Sequence, residues 1–100
     1  MSLFFKNATA QCQSKHRKTL KIIFTNPVNK NVEWRKIEAL FLVLGAIRTE
    51  MAGSAVSFVL NNIRVDFHRP HPDKEALRYR MKDARKFLEQ AGIKYEYDEI

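Results

Sequence analysis

The chain has 100 residues, of which 45% are hydrophobic and 29% charged, so it can bury one hydrophobic core but not two. Its three glycines and three prolines exclude a collagen-like or low-complexity chain, and no apolar run reaches the ~18 to 20 residues that cross a bilayer. The formal net charge of +7 favours a polyanionic partner, and nucleic acid is the first to consider.

The N-terminus and the cysteine content predict the compartment. Met1-Ser2-Leu3-Phe4-Phe5-Lys6 is followed by polar residues, whereas a secretory signal continues with an apolar segment. The single cysteine, Cys12, can form neither an internal disulfide nor a cysteine-based zinc site, which agrees with a reducing environment. We therefore expect a cytoplasmic protein without a membrane segment.

The positive charge is concentrated in two parts of the chain. Residues 1–36 contain eight Lys and Arg against one acid, while residues 37–100 contain ten of each. A second local surplus lies between Arg64 and Lys86, with eight basic and four acidic side chains. Such a surplus is typical of a nucleic-acid-binding surface and also of an ordinary solvated surface.

Two helices are predicted first. Ser14 to Phe24 has apolar residues at helical spacing with cations on the other faces, and Asn26-Pro27 ends it. Asn31 is a candidate cap for the second helix, and Gly45 suits the left-handed position that ends it. The core stripe of this second helix consists of Ile37, Leu40, Phe41 and Leu44.

The apolar period then changes from about 3.6 to 2, which predicts three strands. The first covers residues 46–51 and is followed by a turn at Gly53-Ser54. Asn61-Asn62 supplies a two-residue hairpin turn between the next two strands. The inward positions of those strands are Val56, Phe58, Leu60, Ile63, Val65 and Phe67, which leaves Arg64, Asp66 and His68 on the outward face.

A last helix follows Pro70 and Pro72, with Asp73 as its candidate cap and Gly92 at its end. Its apolar side consists of Leu77, Met81, Ala84 and Leu88. The element order predicts an α+β fold in which helices cover one face of a three-stranded antiparallel sheet.

An ordered set of short motifs links this chain to a known family. A helix ends in Leu44-Gly45-Ala46, Gly53-Ser54 opens a strand, a third strand runs into His71-Pro72, and a last helix ends in Leu88-Glu89-Gln90-Ala91-Gly92-Ile93. In this order and spacing the chain resembles the HicA toxin family over residues 32–93. The resemblance implies a double-stranded-RNA-binding-like α-β-β-β-α fold, cleavage of mRNA without metal or other cofactor, and inhibition by a HicB-like antitoxin.

The resemblance also implies a division of the chain into three parts. Residues 1–30 are a basic N-terminal extension with one helix, residues 31–93 are the HicA-like domain, and residues 94–100 are an acidic C-terminal tail, for which an extra strand is the alternative. HicA-like proteins usually carry a catalytic histidine directly after the Gly-Ser turn. This chain has Ala55 there, and an alanine can neither accept nor donate a proton.

Three explanations account for Ala55. The first is that Ala55 results from an inactivating substitution. The second is that other residues carry out the catalysis, and the third is that the chain binds RNA without cleaving it. The second is preferred, because His68 and His71 flank Arg69-Pro70 and imidazoles titrate near neutral pH. As ordinary residues, His68 would be a surface histidine and His71 would fix the turn.

The candidate phosphate-binding residues are cations in the second basic segment: Arg64, Arg69, Lys74, Arg78, Lys82 and Arg85. The last four are spaced by four, four and three residues and form one stripe of the last helix, where double-stranded-RNA-binding domains contact phosphates. Strand-edge charges and a solvated helix face are the structural alternatives. His68 and His71 lack the Cys or carboxylate neighbours of a metal site, so no metal is predicted.

These features leave three functions open. The first is a metal-independent ribonuclease of the HicA kind, and the second is a noncatalytic RNA-binding module, which includes an inactivated toxin. The third is an interaction subunit whose basic surface meets an acidic protein.

Overall fold

Three helices and a three-stranded sheet make up the part of the chain that the structure describes. This computed structural model describes residues 14–25, 31–70 and 78–95. The helices are α1 (Ser14–Phe24), α2 (Trp34–Val43) and α3 (Arg78–Gln90). The strands β1 (Ile47–Glu50), β2 (Ala55–Leu60) and β3 (Ile63–His68) lie between α2 and α3. The order α-β-β-β-α after α1 confirms the predicted α+β fold.

The sheet has the order β1-β2-β3, and both neighbouring pairs are antiparallel. Asn61 and Asn62 join β2 to β3 with φ values of 53° and 67°, the left-handed conformation that a two-residue hairpin turn requires. The Asn61 side-chain amide also donates to the Ala91 carbonyl, 2.7 Å away, just after α3. The predicted turn is confirmed, and it also fixes the end of α3 against the sheet.

An aromatic cluster joins the helices to the covered face of the sheet. Phe41 of α2 packs edge-on against Phe58 of β2 and Phe87 of α3, with ring centroids 5.0 and 5.1 Å apart. Trp34 packs against Phe67 of β3 at 4.9 Å. All of these rings are buried, so α2 is the element around which the core is assembled.

The first helix belongs to the same core. Leu20 and Ile23 of α1 are completely buried, and α1 contacts both α2 and α3. Two predicted details are wrong. The N-cap of α2 is Glu33, which makes no side-chain cap bond, and not Asn31. The first strand is Ile47–Glu50, one residue shorter at each end than predicted, and the Ala46 amide donates instead to the Phe41 carbonyl of α2 at 3.0 Å.

The glycines that end the helices have the predicted conformation. Gly45 and Gly92 have φ values of 103° and 87°, which side chains with a Cβ rarely adopt. The predicted cap Asp73 and the core residue Leu77 lie outside the described residues, as do residues 96–100. Within the described part, no helix has the length and apolar composition that a membrane span requires.

Candidate functional site

The face of the sheet that the helices leave open carries the polar side chains of β3. Arg64, Asp66 and His68 are exposed on this face, as predicted, while Phe67 is buried on the other. Their partners on β2 are Val59, Ser57 and Ala55 in that order. Directly opposed residues of a ladder point to the same face, so Ala55 lies on the open face beside His68, while Ser57 on that face is buried.

His68 lies directly across the ladder from Ala55. In antiparallel pairs such residues have Cβ atoms about 4.5–5.5 Å apart. The Arg69 amide donates to the Ser54 carbonyl at 2.8 Å, which joins the end of β3 to the Gly53-Ser54 turn. The one histidine of β3 is therefore the immediate neighbour of the position where the resemblance implies a catalytic histidine.

Arg80 is a cation near His68 that the sequence did not indicate. Its Nε donates to the His68 carbonyl at 3.2 Å, which brings the beginning of α3 to the end of β3. Arg80 lies outside the predicted stripe of cations on this helix, so the helical spacing of the basic residues does not point to it. Only the tertiary packing of α3 on β3 identifies it as part of the site.

The guanidinium of Arg69 is already bound to two carboxylates, whereas a residue that binds phosphate leaves its donors accessible to solvent. Its Nη1 and Nη2 donate to the two carboxylate oxygens of Glu50 at 2.9 and 3.0 Å. Its Nη2 and Nε also donate to Glu38, the first of these at 3.1 Å. The predicted contact of Arg69 with phosphate stays a prediction, and such a contact would have to compete with two carboxylates.

Glu38 is the centre of this ionic cluster and has only 7% of its surface exposed. It accepts hydrogen bonds from Trp34 Nε1, from Arg69 and from Arg48 Nη1, the last at 3.2 Å. Arg48 is also 3.6 Å from Glu50. A buried carboxylate surrounded by donors in this way fixes the end of β3 relative to α2 and β1.

The cluster shifts the ionisation of two of its members. Hydrogen bonds from Arg69 hold the pKa of Glu50 below its ordinary value of 4.5, since they stabilise the charged carboxylate. The carboxylates of Glu50 and Glu38 raise the pKa of Arg69. Both directions favour the charged forms of Glu50 and Arg69.

The other predicted site residues are distributed differently. Arg64 pairs with Asp66 at 2.9 Å and reaches Met51 Sδ at 3.8 Å, so it lies across the open face. Lys82 is exposed and Arg85 half-buried on α3, and neither forms an ion pair with another described side chain. His71 and Lys74 lie outside the described residues, and only the backbone of Arg78 is described. Among the described side chains, no group of three or more His, Cys, Asp or Glu could hold a metal ion.

A comparison with protein families gives this arrangement its context. The family described as the HicA toxin of bacterial toxin–antitoxin systems matches residues 34–93, which is more than half of the chain. The chain belongs to the HicA toxin family. Searches of curated proteins and of solved structures found no match.

Family membership indicates the role of the protein and its partner, and it covers only part of the folded core. A HicA protein is the toxin of a toxin–antitoxin system, and its family implies a HicB-type antitoxin as partner. The matched segment begins at Trp34, so it contains the whole sheet, α2 and α3. It excludes α1, although α1 contributes fully buried side chains to the same core.

Proposed function

We propose that this HicA toxin is a ribonuclease that cleaves mRNA, with His68 in the catalytic role that Ala55 cannot fill. The observation that carries the proposal is the ladder pair of Ala55 and His68. The imidazole of His68 on β3 therefore lies on the same part of the open face as a larger side chain at position 55 of β2 would. The exposure of His68 leaves it accessible to a transcript.

The proposed reaction is attack of a ribose 2′-hydroxyl on the adjacent phosphorus. His68 takes the hydroxyl proton, the new P–O bond forms, and the bond to the 5′ oxygen breaks. His71 is the proposed acid that gives a proton to that leaving oxygen, an assignment made from the sequence alone. Positive charge nearby would stabilise the phosphorane-like transition state. The cations proposed for this are Arg64, on the same strand face as His68, and Arg80, which donates to the His68 carbonyl.

The remaining proposed phosphate contacts are on α3 and the adjacent chain. Lys82 is exposed and makes no ion pair within the described part of the chain, so it is available to a ligand. Arg85 is three residues further on the same side of the helix. With Lys74 and Arg78 they complete the stripe predicted from the sequence, and Arg69 remains a proposed contact as well.

The decisive experiment compares His68→Ala with the unaltered protein on a labelled transcript. General acid–base catalysis contributes about 10²- to 10⁴-fold, so we expect cleavage to fall by at least 100-fold while RNA affinity changes little. Thr49→Ala is the matched control. Thr49 is exposed on β1, on the same open face of the sheet as His68, and it carries no proposed role. Cleavage by His68→Ala at the unaltered rate would exclude this assignment.

A second pair of variants tests the ladder geometry. If the position across from His68 is equivalent, Ala55→His in the His68→Ala background restores cleavage. A transcript that is bound but left intact by the unaltered protein would instead support the noncatalytic RNA-binding module, which the absence of a functional group at Ala55 favours. A large gain from Ala55→His in the unaltered background would identify an inactivated toxin.

A further inference from the structure

The strongest unexplained feature of the surface is a basic groove between α1 and α2. It has a volume of about 960 Å³ and is lined on the α1 side by Lys15 and Lys18 and on the α2 side by Arg35 and Lys36. The carboxylate in the lining is Glu33, which is 3.3 Å from Arg35 and 3.9 Å from Lys36. The groove therefore carries a clear excess of positive charge.

The charged side chains of α1 are all basic. The helix contains Lys15, Arg17, Lys18 and Lys21 and no acidic residue. Lys15, Lys18 and Lys21 are exposed, and none of the three forms an ion pair in the described part of the chain. Because α1 is anchored by the buried Leu20 and Ile23, these cations are presented by a fixed element and not by a loose extension.

The composition of this surface fits a polyanion better than a protein partner. Protein interfaces have a core of large apolar or aromatic side chains. The large hydrophobic residues that are exposed in the described part are Leu42, Val43, Ile47 and Met51, which lie at the end of α2, on β1 and just after it. None of them lines the groove. The groove offers cations above a floor of small and aliphatic side chains, which suits a phosphodiester backbone.

We propose that the groove between α1 and α2 is a second RNA-binding surface, which contacts phosphates without reading the base sequence. This inference rests on the proposed function in that RNA is the substrate. It assigns to α1, which is outside the family-matched segment, a role in holding the transcript. Among the described residues that line the groove, His16 is the one aromatic ring beside four Lys and Arg side chains, a composition that favours backbone contacts over base stacking.

The test removes two of the cations and measures the salt dependence of binding. Lys15→Gln/Lys18→Gln is compared with Lys94→Gln, which removes a charge from an exposed position outside both proposed surfaces. Affinity for a fluorescein-labelled single-stranded RNA of mixed sequence is measured by anisotropy between 50 and 200 mM NaCl. Both proteins carry His68→Ala in addition, so that the RNA is not consumed.

The loss of two phosphate contacts lowers the magnitude of the slope of log K against log salt by about 1.4 for a single-stranded RNA. The Lys15→Gln/Lys18→Gln protein should therefore lose about sevenfold more affinity, relative to its parent, at 50 mM than at 200 mM salt. The Lys94→Gln control should keep the parent slope, since distant surface charges are screened. Bound RNA should also protect Lys15 and Lys18 from acylation by an amine-reactive reagent, detected by mass spectrometry.

The outcomes separate this inference from the proposed function. An unchanged slope and no protection of the two lysines overturn the groove as an RNA surface, even if His68-dependent cleavage is confirmed. A reduced slope with lysine protection supports it, even if the protein with His68 intact produces no cleavage. Unchanged RNA binding combined with weaker binding of the purified HicB-type antitoxin would identify the groove as a protein interface and overturn the inference.

Discussion

Glu38→Gln is the substitution that most directly probes how the site is held together. Glutamine has nearly the same shape as glutamate but carries no charge, and its amide nitrogen cannot accept a hydrogen bond. In the native protein both carboxylate oxygens of Glu38 accept, from Trp34 and Arg69 at Oε2 and from Arg48 and Arg69 at Oε1. Either orientation of the amide therefore places an NH₂ group against at least one guanidinium.

The expected cost follows from burial. The side chain of Glu38 is 9% exposed and that of Arg69 is 24% exposed, so their interaction is only weakly screened by water. Removing one partner of a buried ion pair typically costs about 3–5 kcal/mol, whereas exposed pairs contribute about 0–1 kcal/mol. Because Arg69 keeps Glu50 as a partner, we expect about 3 kcal/mol, the lower end of that range.

Urea denaturation followed by circular dichroism measures this free energy of unfolding. Glu33→Gln is the control, because the Glu33 side chain is 32% exposed and its two ion pairs are at the surface; a loss below about 1 kcal/mol is expected. A double-mutant cycle with Arg69→Gln should give a coupling of about 1–3 kcal/mol between the two side chains. A loss below about 1 kcal/mol for Glu38→Gln would refute the view that the buried cluster stabilises this end of the sheet.

Three further changes test the core, the hairpin and the ionic cluster. Phe41→Ala should cost about 3–5 kcal/mol by urea denaturation, since the ring is fully buried between two others. Asn61→Ala should cost about 2 kcal/mol, because alanine tolerates φ of 53° poorly and cannot donate to the end of α3. Glu50→Gln should lower the melting temperature at pH 7, and this difference should shrink as the pH falls below 4.5. The sign follows from the lowered pKa of Glu50: the native state favours the charged form, so its contribution is lost on protonation.

Each of these changes has a control or a contradicting result. Leu42→Ala, next to Phe41 but 39% exposed, should cost much less than Phe41→Ala. Asn62→Gly should be nearly neutral, because glycine adopts positive φ easily. A difference between Glu50→Gln and the unaltered protein that stays constant from pH 7 to pH 3 would contradict the contribution of the Glu50 charge.

The sequence was sufficient for those features that depend on short-range patterns. The period of the apolar residues predicted α1 with its observed bounds, and the alternation in β2 and β3 predicted which side chains face the helices. The Asn61-Asn62 turn followed from the conformational preference of asparagine. Each of these signals is set by residues within a few positions of each other.

The ionic cluster was not predicted, because its members come from separate parts of the chain. Glu38 accepts from Arg48, 10 residues away, and from Arg69, 31 residues away. Neither spacing has a periodic signature. One feature of the sequence could have indicated the cluster. Glu38 lies beside the apolar stripe of α2, four residues after Trp34, and a carboxylate that is buried there needs a partner.

The proposed catalytic role of His68 depends on the strand register more than on the presence of a histidine. If β3 were displaced by one residue along β2, His68 would face α2 and the core, because neighbouring side chains of a strand point to opposite faces. Two features oppose that displacement: the two-residue turn at Asn61-Asn62 fixes the pairing at one end, and the bond from the Arg69 amide to Ser54 fixes it at the other. With this register, the imidazole of His68 lies on the open face directly across from Ala55, the position at which the resemblance implies a histidine.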